Sequence, residues 1–443
     1  MYISEQLGRF GSNFHSVNVN EEVLHHAKRA IVDWYAALIP GYVMEPTPLL
    51  EKAYAEDLDR GRARLALGRS ATTRTAALIN GSASHTAEVD DIFKEAIYHP
   101  GAPTISAALA VAQQEGVGGL ELIKAVIVGY EVSTRIGKVL GRTHYKFWHN
   151  TGTAGTFGAA AAAAYLLKLD ATRFTHALCT AATFAAGLQQ AFKMDSMSKP
   201  LHSGRAAEAG VAAADMARQG ITGSLDVLEG VYGLGAAMSN DPEWQPVMDD
   251  LGSKFNITAM TFKNHACCGH TFAPIDGALV IQQRDQIAWQ DIARVVVETY
   301  SPALAVAGNP VPRTPAEARF SIPFVVSTAL RYGSVRLAAF APERLQDSDL
   351  QALMGMVELK VHPELDAQFP GQRAALVTLF TKDGQAHTFL QPTRKGDPDM
   401  ALTDAELQDK FDELVVPVLG AQQAQAIAQV LWNLQAQSAV SSL

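Results

Sequence analysis

The chain has 443 residues, 48% of them hydrophobic and 18% charged, with a mean hydropathy near zero. That length excludes a single small module, and the composition is that of a globular protein. Thirty-six Lys and Arg against 45 Asp and Glu give a net charge of −9, which argues against a general nucleic-acid binder. Three cysteines (Cys179, Cys267, Cys268) are too few for a disulfide framework and suit a reducing compartment. The N-terminus MYISEQLGRFGSNFHSVNVNEE lacks the basic and apolar regions of a signal peptide, so a cytoplasmic protein is expected. The longest weakly polar stretch, Thr151 to Leu167, has 17 residues including several Gly and Thr. A membrane span needs about 20 apolar residues, so none is expected.

The first 260 residues read mainly as helices. Asn20 caps a run in which Val23, Ala27, Ala30, Ile31, Trp34 and Leu38 share one face and Pro40-Gly41 is the stop. Helices follow at Thr104–Gln114, stopped by Gly116, and at Leu120–Leu140. The stretch from Gly155 to Leu167 is so rich in alanine that another helix backbone could approach it closely, which predicts burial of Ala159 to Ala164. Asp170 caps the next helix, and Gly204 to Arg218 is one more of small residues.

The texture changes near residue 260. Ala293–Tyr300 and Met356–His362 read as strands, and Arg373–Thr381 with Gln385–Leu390 flank Asp383-Gly384, a hairpin signal. Ala316–Arg331 reads as a helix between them, and Thr403–Leu414 and Ala421–Gln437 are helical again. The expected fold is mainly α: a large all-helical domain built from both chain ends plus a smaller α+β lid domain. The domains fall at 1–262, 263–396 and 397–443, the last returning to the first.

Four segments could carry chemistry. HTAEVDDIFKEAIYHPG holds His85, Glu88, Asp90, Asp91 and His99. Its bland reading is a solvated acidic loop; no HxxxH or HxH spacing supports a metal. GRTHYKFWHNTGTAGTFGAAAAAA places His144, Tyr145, Lys146 and His149 before the alanine helix. Its glycines form GxxGxxG after no clear strand, so the dinucleotide fingerprint fails and helix packing explains them better. KMDSMSKPLHSGRAAEAG brings Lys199, His202 and Arg205 to a helix start, with Ser198 and Ser203 as candidate caps; such a start flanked by cations suits a carboxylate or phosphate. KNHACCGHTFAPIDGAL carries Lys263, Cys267, Cys268 and His270; adjacent cysteines are not a zinc pattern, and buried thiols are the simpler reading. Together the four histidine-bearing turns suggest a local cationic pocket for a small di- or tricarboxylate in an acidic protein.

These segments, in this order, resemble the MmgE/PrpD family, which includes 2-methylcitrate dehydratases, cis-aconitate decarboxylases and iminodisuccinate epimerases. The likeness is carried by HTAEVDD…HPGAP, GYEVSTRIG…HNTGTAGTFGAAAAAA, MSKPLHSGRAAEAG, CCGHTFAPIDGAL and ARFSIPF at 318–324. It implies a homodimer with an active site between helical domain and lid, no cofactor and no metal. It also implies catalytic roles for His99, His149, Lys199 and the lid histidine His270, with Tyr145 matching a tyrosine proposed as base in epimerase-like members. Asp91 is read as orienting a histidine, and Glu88, His202, Arg205 and Lys263 as binding substrate. There are departures: an aspartate common in the first motif is Glu88, a threonine of decarboxylase-like members is Ile92, and a lid tyrosine is Phe324. The spacing before His99 is also one residue longer. They make cis-aconitate decarboxylation less expected and weaken direct assignment to methylcitrate.

The chemistry the family shares makes a carbanion, or enol-like dianion, next to a carboxylate. That species needs positive charge and hydrogen-bond donors placed in advance, the work assigned to Lys199 and His149. A base titrating near neutral pH suits His99 or a perturbed Tyr145. The expected activity is therefore that of a hydro-lyase resembling 2-methylcitrate dehydratase. An epimerase of an imino- or amino-dicarboxylate is the alternative, and a non-catalytic carboxylate binder is a third reading.

Overall fold

The computed structural model describes residues 1–192, 196–369, 371–441 and 443. The chain forms two compact units: Met1–Phe262 with Thr403–Leu443, and Lys263–Leu402. Among the described residues no helix is long and apolar enough to cross a membrane.

The larger unit is built around the Asn150–Leu166 helix, every residue of which is buried. Ala159 to Ala164 have no exposed surface at all. Its small side chains let four helices close on it: Gly101–Glu115, Gly119–Tyr145, Ala171–Phe184 and Ser198–Arg218. The GxxGxxG glycines are contact points. A Cβ on Gly155 would stand 2.6 Å from Cγ of Pro103, and one on Gly158 2.5 Å from Oγ1 of Thr104. Asn20 and Asp170 cap as their side chains allow, accepting from the backbone N–H of Val23 and Arg173. The Glu21–Tyr42 helix runs through Pro40, the expected stop, and ends two residues later. A proline lacks an N–H and crowds the preceding turn, and the helix goes on for only two residues past it. Gly41 there lets the Thr73–Thr86 helix approach, since a Cβ would lie 1.9 Å from the Ala83 carbonyl. A short hairpin of Leu58–Arg64 and Ser70–Ala71 was not expected.

The C-terminal segment completes this unit. Asp404–Leu419 lies against Glu21–Tyr42 and buries Leu407, Phe411 and Leu414. On the same helix Lys410 is buried; its ammonium donates to Asp33 at 2.5 Å and to the Val89 carbonyl at 2.7 Å.

The smaller unit carries a four-stranded sheet in the spatial order Val357–Val361, Ile292–Thr299, Ala375–Thr381, Ala386–Gln391. The first pair is parallel and the other two are antiparallel. Alternate residues Ala375, Val377 and Leu379 point into the core with Val295, Val297 and Ile281, as period-2 patterning requires. Gly384 takes φ 87° in the hairpin turn, a conformation open to glycine. The expected single helix at Ala316–Arg331 is two pieces, Pro315–Ala318 and Ile322–Tyr332, the second capped by Ser321.

Candidate active site

The loop after the Thr73–Thr86 helix carries Glu88, Asp90, Asp91 and His99, and two of its non-glycine residues adopt left-handed backbone conformations: Glu88 at φ 61° and Ile97 at φ 49°. Such conformations cost roughly 1–3 kcal/mol each and persist where the surroundings fix them. The surroundings here do so. Ile92 exchanges two backbone hydrogen bonds with Thr261, and Phe93 pairs with Tyr98. The His99 N–H donates to Oγ1 of Thr151 at 3.3 Å, and Nδ2 of Asn150 donates to the Ala96 carbonyl.

Asp90 is the centre of the cluster. Its Oδ2 accepts from Nδ1 of buried His85 at 2.7 Å and lies 3.3 Å from Nδ1 of His99, at an angle too poor for a hydrogen bond. Burial opposes the charge of Asp90, but His85 and His99 beside it hold its pKa well below the usual carboxylate value. Burial in turn drives His85 down to about 4, against the pull of Asp90. The state this favours is a charged Asp90 carboxylate beside a neutral His85. His99 is the member of this trio with the most open side chain, 15% exposed, against 0% for His85 and 1% for Asp90.

Two more imidazoles adjoin the trio. The His149 ring stacks on His85, centroids 5.4 Å apart at 25°, and stands 6.5 Å from His99. Its Nδ1 is 3.1 Å from Nδ1 of His202, so one ring donates and the other accepts, an arrangement two protonated rings could not make. Burial, then the neighbouring histidines, push His149 well down; burial, then His85 and Lys199, push His202 to about 4. The approach of the 186–188 segment positions this pair. His149 N–H donates to the Gly187 carbonyl at 2.8 Å, and a Cβ on Gly152 would meet the Ala186 carbonyl at 2.3 Å. Gly187 itself takes φ 136°.

Lys199 is the second residue of the Ser198–Arg218 helix and forms an ion pair with Glu88, its ammonium 5.2 Å from the centroid of Phe192. Both partners are only partly buried. Lys199 and His202 lie three residues apart and so share one face of the helix.

Several expectations are corrected by this geometry. Asp91 does not orient a histidine: it faces the opposite way from Asp90 and accepts from the Tyr130 hydroxyl at 2.7 Å and the Gly101 N–H at 3.0 Å. Burial, then Asp33, raises its pKa to about 7. Arg205 lies outside the cluster, exposed and paired with Glu208 on its own helix. Six residues past Lys199 it has turned away from the face that Lys199 and His202 occupy. Ser203 is inside the helix and Ser198 is its first residue, so neither is the cap; the N-cap position is Met197. His144 serves the fold, with Nδ1 on the Met238 carbonyl and Nε2 on Thr153. Tyr145 is half-buried in the last turn of the Gly119–Tyr145 helix, beyond a kink at Gly141.

In the smaller unit Lys263 is buried, and His270 sits in the turn before the Phe272–Asp285 helix with Nδ1 2.9 Å from the Tyr300 hydroxyl. Cys267 is buried against Thr271.

Sequence reasoning missed the roles of His85 and Asp90. The signal lay in His85 itself, an imidazole in the last turn of a helix that is all small residues from Gly81 to Ser84. Chemically the cluster offers a buried carboxylate behind a histidine base, neutral imidazoles that donate or accept, and one ammonium. His85, Asp90 and His99 place ligand-type atoms within 4.8 Å of one another, a set that would also suit a divalent cation.

A family model described as the MmgE/PrpD N-terminal domain matches residues 5–247, and one described as the MmgE/PrpD C-terminal domain matches residues 265–435. Among curated proteins the chain is similar to the cis-aconitate decarboxylase-like protein oryM of Aspergillus oryzae. The two are 26% identical over an alignment covering 96% of this chain and 93% of that one. It is likewise similar to the cis-aconitate decarboxylases of Mus musculus, 27% identical over 91% of this chain and 85% of that one, and of Homo sapiens, 26% identical over 96% and 91%.

Proposed function

Because this chain belongs to the MmgE/PrpD family, we propose that it is a lyase acting on a small polycarboxylic acid by removing a proton next to a carboxylate. The observation that carries this reading is the gathering of His85, His99, His149 and His202 around Asp90. His99 is the base. A charged Asp90 behind Nδ1 favours the tautomer with a free lone pair on Nε2, and stabilises the imidazolium once the proton is taken. Lys199 offsets the negative charge that develops on the substrate, exchanging Glu88 for a substrate carboxylate. In the neutral pair His149 and His202, the ring whose Nδ1 accepts keeps its proton on Nε2 and is a hydrogen-bond donor to the same charge; the imidazolium of His99 gives the abstracted proton to the departing hydroxide, which leaves as water. Glu88 sets the resting position of Lys199. The step is elimination of water from a hydroxy acid, giving an alkene; the enzyme works as a homodimer.

Decarboxylation is a second reading, favoured by the names of the relatives above. Epimerisation of an imino- or amino-dicarboxylate is a third, resting on Tyr145 four residues before His149. Proton NMR in D2O with citrate-, aconitate-, malate- and aspartate-type acids separates them. Dehydration gives an alkene and reversible deuterium entry beside a carboxylate. Decarboxylation gives carbon dioxide with deuterium at the vacated carbon, and epimerisation gives deuterium with inversion and no alkene. No exchange with any of these acids, in a protein that binds them, would sink the lyase reading.

A further inference from the structure

The sheet register of the smaller unit brings one end of three strands together. Thr299 pairs with Ala375, and Ala375 with Gln391, so Tyr300, Arg373 and Arg394 all emerge at the same sheet end. The Phe272–Asp285 helix, which packs on two of these strands, begins there with His270. The Tyr300 ring stacks on Phe369, centroids 4.6 Å apart at 14°, and His270 lies 6.2 Å from the same ring.

The two arginines of this end differ sharply. Arg394 is fully buried and fully engaged, with Nε and Nη2 on the two oxygens of Asp397 at 3.0 and 2.6 Å and Nη1 on the Gly269 carbonyl at 3.3 Å. Arg373 forms no ion pair among the described residues. Its guanidinium stands 6.0 Å from the Phe369 centroid, and its buried Nε has no hydrogen-bond partner. Burial, and next the charge of Arg394, make its own charge harder to hold. A half-buried cation with an unmet donor is costly unless an anion completes it.

We propose that Arg373 and His270 form a site on the smaller unit that binds a carboxylate of a small polycarboxylic acid. The inference rests on the function proposed above. A guanidinium presents two parallel N–H groups matched to the two oxygens of a carboxylate. Burial, then the charges of Arg373 and Arg394, push His270 down to about 3, and burial raises Tyr300 to about 12, so both are neutral at working pH. With the Tyr300 hydroxyl donating to Nδ1, the proton of His270 sits on Nε2 as a further donor. Phe369 and Tyr300 form an apolar wall that keeps water from screening the contact.

The test is calorimetric titration of the full chain with tricarballylate, an acid without a hydroxyl to eliminate. Wild type should bind it, R373Q about 10–100-fold more weakly, and R373K in between. A second measurement needs no variant: phenylglyoxal modification of Arg373, followed by peptide mapping, should slow when tricarballylate is present. Equal affinity of R373Q and wild type, or equal labelling with and without the acid, overturns the assignment while leaving the lyase reading standing. A wild type that binds no polycarboxylate overturns both.

Discussion

At the scale of single residues, two adjacent aspartates with opposite jobs define the site. Asp90 turns toward His85 and His99, and Asp91 turns to Tyr130 and the start of the Gly101–Glu115 helix. Asp90→Asn should lower kcat by about 10²–10⁴ per folded molecule, the usual worth of a positioned acid or base, far more than its loss of stability explains. Asp91→Asn should do the reverse, costing about 1–3 kcal/mol in urea unfolding and leaving turnover per folded molecule near wild type, because it leaves buried partners half-satisfied. The imidazoles give a pH signature. His85 and His202 titrate near 4 in the folded chain against 6.5 when unfolded, so the stability they contribute is complete above pH 6.5. It is lost as pH falls toward 4, because the unfolded chain binds protons that the folded one refuses. Asp91, raised to about 7, has the opposite slope over the same range, so the comparison between variants is the informative one. Melting curves from pH 7 to 4.5 should show His202→Gln losing less stability on acidification than wild type.

Helices impose their own constraint, which is close approach. A Cβ on Gly204 would lie 2.1 Å from Oγ of Ser82 and 2.3 Å from the Leu78 carbonyl, on the helix that delivers His85. Gly204→Val should therefore cost about 1–3 kcal/mol in denaturant unfolding and, two residues from His202, depress turnover as well. This level was the most legible in the sequence. Alanine runs, the caps Asn20 and Asp170, and Asp383-Gly384 are local signals, and each does locally what its chemistry predicts. The loop from Glu88 to His99 was legible only as a carrier of the right residue types. Its shape comes from backbone pairing with Thr261 and from left-handed turns at Glu88 and Ile97, neither a glycine. Which of two neighbouring aspartates faces the histidines depends on those turns, so the reading fell on Asp91. Arg205 was misplaced for a simpler reason, the angular drift of a helix over six residues.

Across the whole molecule, the larger unit depends on a segment that follows the smaller one in the chain. Lys410 reaches from that segment to Asp33 and to the carbonyl of Val89, the residue before Asp90. Lys410→Met should destabilise by about 3–5 kcal/mol, since it strips a buried carboxylate of its close cation, and Asp33→Asn in the same chain should recover part of the loss. Deleting residues 403–443 would uncover Leu407's contacts and those of Phe411 and Leu414, and should abolish soluble folding, as read from the supernatant after expression. The same arrangement sets a timetable on the ribosome. Residues 263–402 must be made before Lys410 exists, which at about 5–20 residues per second takes roughly 7–28 s. Throughout that interval the nascent chain carries an uncovered apolar face on its first helices and a Glu88–His99 loop without its last strut, which leaves the newborn N-terminal half open to chaperone capture or aggregation until Lys410 arrives.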